Sequence, residues 1–93
     1  MKHFIIIRTE DKTAAPWLAD KAEEIFSKTL SIPGINSVEV HRSCSDIPGR
    51  FDLMIIIDLK PEALSVYDAS EPHQEWKKVC DPLLGFKAIF DCE

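Results

Sequence analysis

The sequence has 93 residues, 45% of them apolar and 29% charged, the balance of a folded domain rather than a disordered chain. Sixteen acidic against eleven basic side chains give a net charge of −5, without the basic footprint that nucleic acid or an anionic membrane surface requires. Uncharged apolar runs stop at five residues, far short of the roughly 20 that span a bilayer.

Lys2–Thr9 (KHFIIIRT) is rich in β-branched residues and reads as a strand. Because an apolar strand begins at the third residue, no signal-peptide pattern is expected at the start. Residues 10–13 connect to a helix over 14–30, whose apolar side repeats at Trp17, Leu18, Ala22, Ile25, Phe26 and Leu30. Thr13 is the expected N-cap, with Pro16 in the first turn, and Pro33-Gly34 stops the segment. Ile35–Arg42 (INSVEVHR) is a second strand, and the Ser-, Asp- and Pro-Gly-containing stretch 43–50 is a loop. Residues 51–59 (FDLMIIIDL) form the strongest strand pattern in the chain.

A second helix is expected over 62–69. Ser70-Glu71-Pro72 restarts it with a capping hydroxyl, an acid in the first turn and a proline where no N–H is missed. His73, Trp76, Val79, Cys80 and Leu83 follow with helical spacing, Gly85 ends the helix, and residues 86–92 (FKAIFDC) make a last strand. The order β-α-β-β-α-β predicts an α+β, ferredoxin-like protomer over residues 1–93, one domain with both helical segments on one face of a four-stranded antiparallel sheet.

That arrangement leaves a problem. Phe4 and Ile6 in the first strand, Met54 and Ile56 in the third, and residues of the last strand give the sheet a second apolar face that the helices do not reach. Such a patch exceeds what a monomer tolerates, so the expected cover is the same face of a second copy, a homodimer about a two-fold axis. Three cysteines (Cys44, Cys80 and Cys92) without a C-x-x-C pair read as reduced thiols of a cytoplasmic protein. No H-E-x-x-H or comparable spacing occurs, so neither a metal nor a cofactor is expected.

The segments K-H-F-I-I-I, I-P-G-I-N-S-V-E-V, R-F-D-L-M-I-I-I-D, Y-D-A-S-E-P-H-Q-E-W and I-F-D stand in an order and spacing that resemble the stress-responsive dimeric α/β-barrel (Dabb) family over nearly the whole chain. The resemblance implies ferredoxin-like protomers whose sheets pack into a central barrel. It further implies kinship with plant polyketide cyclases, which close a linear polyketide by aldol condensation without metal or cofactor. There a Tyr and a His about two turns apart act in a cavity between sheet and helices. Tyr67 and His73 match those two by type and spacing, and His3 matches a first-strand His. The chain departs from the family at H-P-x-H, which here is S-E-P-H.

Read on their own chemistry, these residues suit acid–base work. A helix N-terminus favours a neutral, proton-accepting imidazole at His73. A phenol at Tyr67 can hold a carbonyl oxygen as charge develops on it. His3, Ile5, Ile7, Phe26, Ile55 and Trp76 are the expected walls of a pocket for a small apolar or aromatic carbonyl compound. Two other readings stand beside this cyclase or isomerase. One is a binding dimer without turnover, in which His73 is a capping residue and Tyr67 belongs to the core. The other is a cofactor-free monooxygenase or haem-degrading relative, which carries a first-strand Asn with a His and a Trp, whereas the only Asn here, Asn36, lies near the start of the second strand.

Overall fold

The computed structural model describes residues 1–93. Four strands, β1 (Lys2–Thr9), β2 (Ile35–Arg42), β3 (Leu53–Leu59) and β4 (Leu84–Cys92), form one antiparallel sheet in the order β2-β3-β1-β4. Helices α1 (Ala15–Ser27), α2 (Leu64–Asp68) and α3 (Glu71–Cys80) lie on one side of it. This is the expected ferredoxin-like arrangement, and no helix is long and apolar enough to cross a membrane.

Strict alternation decides which residues meet the helices. His3, Ile5 and Ile7 from β1 and Leu53, Ile55 and Ile57 from β3 are buried beneath them, packed against Leu18, Ala22, Ile25 and Phe26 of α1. The opposite face carries Phe4 between Ile56 and Phe90, and Ile6 between Met54 and Ala88, in lateral register. That face is open: Phe90 is 60% exposed and Phe86 52%. Edge strand β2 contributes only polar residues to it, Ser37, Glu39 and His41, so the apolar band lies over β3, β1 and β4.

Several local expectations are corrected. No side chain caps α1, which follows Ala14; Asp11 instead caps the short 3-10 turn Lys12–Ala14 before it, its carboxylate accepting from the Thr13 N–H (2.9 Å) and hydroxyl (2.7 Å). The helix ends at Ser27 and a 3-10 turn, Lys28–Ser31, follows, which rotates Leu30 outward to 51% exposure. Trp17 is also half exposed, with the Lys21 ammonium 5.6 Å from its ring centroid. The third strand begins at Leu53 rather than residue 51, because Asp52 turns inward. Its carboxylate accepts from the Thr9 N–H (2.7 Å), the Thr9 hydroxyl (2.8 Å) and Lys12 Nζ (2.6 Å). The alternation breaks there, and Phe51 stacks near Phe86 instead, ring centroids 6.0 Å apart. Gly85 lies inside β4 rather than ending a helix. It passes the bulge at Arg8/Thr9, where a Cβ would sit 3.1 Å from backbone atoms of Arg8, Thr9 and Glu10.

Candidate functional site

The helical layer stops short of β4. Between α2 and α3 on one side and β1 and β4 on the other lies a cleft of about 310 Å3, near the lower end of the range for small-molecule sites. Its apolar lining includes Ile5, Leu64, Trp76 and Ile89, and its polar lining includes His3, Tyr67, His73 and Asp91.

The break between α2 and α3 builds one wall. Ser70, extended at φ −74 and ψ 156, accepts from the His73 N–H at 3.4 Å and donates its hydroxyl to the Tyr67 carbonyl at 2.6 Å. One serine thus caps α3 and ties down the end of α2, as the S-E-P-H pattern predicts. The turn brings the Tyr67 and His73 rings to a centroid distance of 4.9 Å. In an unbroken helix the Asp68 carbonyl would accept from the amide of residue 72, but the chain turns out of the helix at Ser70 and residue 72 is proline. That carbonyl instead accepts from His73 Nδ1 at 2.8 Å. With the ring proton held on Nδ1, the lone pair of the neutral imidazole lies on Nε2.

The sheet supplies the second imidazole. His3 and Asp91 are directly opposed in the β1–β4 register, and His3 Nδ1 lies 2.5 Å from Asp91 Oδ1. The His3 and Tyr67 ring centroids are 5.8 Å apart in an edge-on arrangement. Tyr67 therefore has two imidazoles near its ring, one from the helices and one from the sheet, each tethered through Nδ1.

Tyr67 itself is fully buried and its hydroxyl has no hydrogen-bond partner within the chain. Burial, with a smaller contribution from the Asp68 carboxylate, pushes its ionisation well above the ordinary phenol value, so the group is a donor and not a phenolate. Cys80 also lines the cleft, where burial first and Asp81 second push its thiol up to about 11 and keep it unreactive.

Of the residues singled out in the sequence, His3, Ile5, Tyr67, His73 and Trp76 meet around this cleft. Ile7, Phe26 and Ile55 do not line it; all three are fully buried in the core beneath. Phe26 acts from behind, its ring 5.1 Å from that of Trp76 and 6.3 Å from that of Tyr67. Asn36 lies on the opposite edge strand, 3.3 Å from Asp58, and takes no part. Asp91 and the Asp68 carbonyl are the groups of this cleft that the sequence reading missed. Asp91 was findable only from strand register, which pairs it with His3 on one face.

No family model and no curated protein matches the sequence. Solved structures do. A dimeric protein of unknown function with a ferredoxin-like fold from Bacteroides fragilis superposes with a TM-score of 0.82 at 16% identity, over 99% of this chain and 93% of that one. A dimeric ferredoxin-like protein of unknown function from Thermobifida fusca gives 0.78 at 19% identity, over 96% and 85%. The fold is ferredoxin-like. A Bacteroides thetaiotaomicron protein proposed to be an antibiotic biosynthesis monooxygenase gives 0.79 at 14% identity, over 100% and 87%. Identities this low speak for the architecture alone.

Proposed function

We propose that this chain is a cytoplasmic member of the stress-responsive dimeric α/β-barrel family, a single domain over residues 1–93. It forms a homodimer through the open sheet face and binds a small carbonyl compound in the cleft. Tyr67 donates its hydroxyl to the carbonyl oxygen, His73 Nε2 takes the proton from the adjacent carbon, and no metal or cofactor takes part. Ile5, Trp76 and Ile89 hold the apolar body of the ligand. His3 completes the binding wall, with Ile7, Phe26 and Ile55 as the packing that fixes it.

The observation that carries this reading is the Tyr67 hydroxyl, fully buried at the cleft with no partner in its own chain. An unpaired buried hydroxyl costs about 1–3 kcal/mol, a cost that a ligand oxygen removes. The dimer rests on the uncovered apolar band of β1, β3 and β4, and dimeric neighbours of the same fold support it.

Cyclohexanone is a suitable probe, because it has one ring, one carbonyl and α-protons that exchange slowly at neutral pH. Acceleration of that exchange in D2O, lost on His73→Ala with binding retained, supports an acid–base enzyme. Binding that depends on Tyr67 without any exchange identifies a binding dimer instead. No binding of either kind removes the site assignment. Sedimentation at micromolar concentration tests the dimer directly.

A further inference from the structure

The reading above uses one imidazole, yet the cleft holds two, and they are tethered differently. His73 Nδ1 is held by a neutral backbone carbonyl, whereas His3 Nδ1 is held by the Asp91 carboxylate. Both leave Nε2 as the atom free for proton transfer. They come from different elements lining the cleft, the α3 first turn and the sheet, with ring centroids 4.9 and 5.8 Å from that of Tyr67. A neutral acceptor suits a ring that must be uncharged before it takes a proton. A carboxylate suits a ring that must carry a proton as imidazolium, because it balances the charge and fixes the tautomer. The cleft, at about 310 Å3, takes a single ring or a short chain rather than a long folded polyketide.

We propose that His3, positioned by Asp91, is a second proton-transfer residue, and that the site catalyses a proton shift between two carbons of a small β,γ-unsaturated carbonyl compound. This rests on the Tyr67–His73 reading and specifies its reaction as isomerisation. His73 Nε2 removes the α-proton; the C–H electron pair forms the enolate double bond as the carbonyl π pair moves onto oxygen, which the Tyr67 hydroxyl holds. The carbonyl then reforms, the enolate pair becomes the α,β double bond, and the old β,γ π pair takes a proton from His3 Nε2 at the γ-carbon. His73 releases its proton to water and His3 regains one. No electrons are gained or lost overall. His3 is the catalytic residue in this step and Asp91 the positioning residue.

Cyclohex-3-en-1-one is the probe, since its product cyclohex-2-en-1-one is conjugated and absorbs in the ultraviolet. The intact protein is expected to convert it. His3→Gln is expected to lower kcat about 100-fold or more, and the isosteric Asp91→Asn about tenfold or more, with KM within about threefold for both. In D2O the product gains one full deuterium at C4, because the proton delivered by His3 comes from solvent. A substrate-derived proton at C4, or unchanged kcat in both variants, overturns the second base while leaving His73 in place. Cyclohexanone exchange without cyclohexenone conversion also overturns it, and again spares the Tyr67–His73 reading. If neither ketone reacts, both readings fall. Asp91→Asn and His3→Gln are checked by circular dichroism, and a misfolded variant is replaced by Asp91→Ser or His3→Asn, so that kcat is compared between folded proteins.

Discussion

Tyr67→Phe separates a site from a core residue, because only a site couples a gain in stability to a loss of activity. The substitution keeps the ring, and with it the packing against His73, His3 and Phe26 at centroid distances of 4.9, 5.8 and 6.3 Å. It removes only an oxygen that is buried and unpartnered. Leaving a hydroxyl unpaired in the interior costs about 1–3 kcal/mol, so the variant should be more stable by about 1–2 kcal/mol. For a domain of this size that corresponds to a rise in Tm of roughly 4–8 °C per kcal/mol. Thermal unfolding of both proteins must be compared at one protein concentration, since a dimer's Tm depends on it. The same variant should bind cyclohexanone about 2–10-fold more weakly, the value of one ordinary hydrogen bond. It should also slow α-proton exchange about 100-fold or more, the usual effect of losing one donor to a developing oxyanion. A variant destabilised by more than about 1 kcal/mol would refute the reasoning, since the hydroxyl must then have a structural partner. Greater stability with unchanged exchange would refute the role while sparing the geometry.

Three further outcomes follow from other parts of the molecule. Phe90→Glu places a carboxylate on the open sheet face at a position 60% exposed in the protomer. Two copies per dimer lose about 3–6 kcal/mol of apolar burial, or roughly 10²–10⁴ in Kd, and sedimentation should show monomer at micromolar concentration; a persisting dimer places the interface elsewhere. For Asp52, burial alone raises the carboxyl, but Lys12 and the two Thr9 donors overcome it and hold the group below the ordinary carboxylate range. Its contribution is therefore complete above the unfolded value near pH 4 and is lost as pH falls through the lower folded value. Asp52→Asn should cost about 1–3 kcal/mol at pH 7 and flatten the acid limb of the stability curve, and an unchanged acid limb counts against this assignment. Cys80, with its thiol pushed up to about 11 and 2% exposed, should resist iodoacetamide at pH 8 while exposed Cys44 is alkylated. Equal labelling rates by mass spectrometry would contradict the burial.

The fold was legible because its β-branched strand runs and its helices are set apart by turn and capping residues. The run from Leu53 to Leu59 assigns itself to two faces, and a one-residue error would have put every isoleucine on the wrong side. The alternation was misleading only at residue 51, where a buried carboxylate, Asp52, takes an inward place that periodicity reserves for apolar side chains. Trp17 and Leu30 were misplaced for a related reason: helical spacing marks an apolar stripe but not its width, and a 3-10 turn shifts the phase. At the site, the Ser70 cap and the turn that holds His73 were visible because a capping serine and a proline leave a local signature, whereas Tyr67 and His73 were paired through the family resemblance. Asp91 and Asp68 were not visible. One acts through a strand partner 88 positions away and the other through its backbone, which no side-chain pattern records.

The break between α2 and α3 has a consequence for which positions tolerate change. The tautomer of His73 is set by an oxygen that every amino acid possesses, so position 68 places no demand on its side chain for this purpose. The demand falls on position 70, where an extended serine turns the chain out of α2 and leaves that carbonyl without a backbone donor. A residue there that lets the helix continue returns the carbonyl to an amide and frees the imidazole to turn. In a saturation scan, the tether of the imidazole should register as intolerance at the capping residue, and as indifference at the residue whose oxygen accepts.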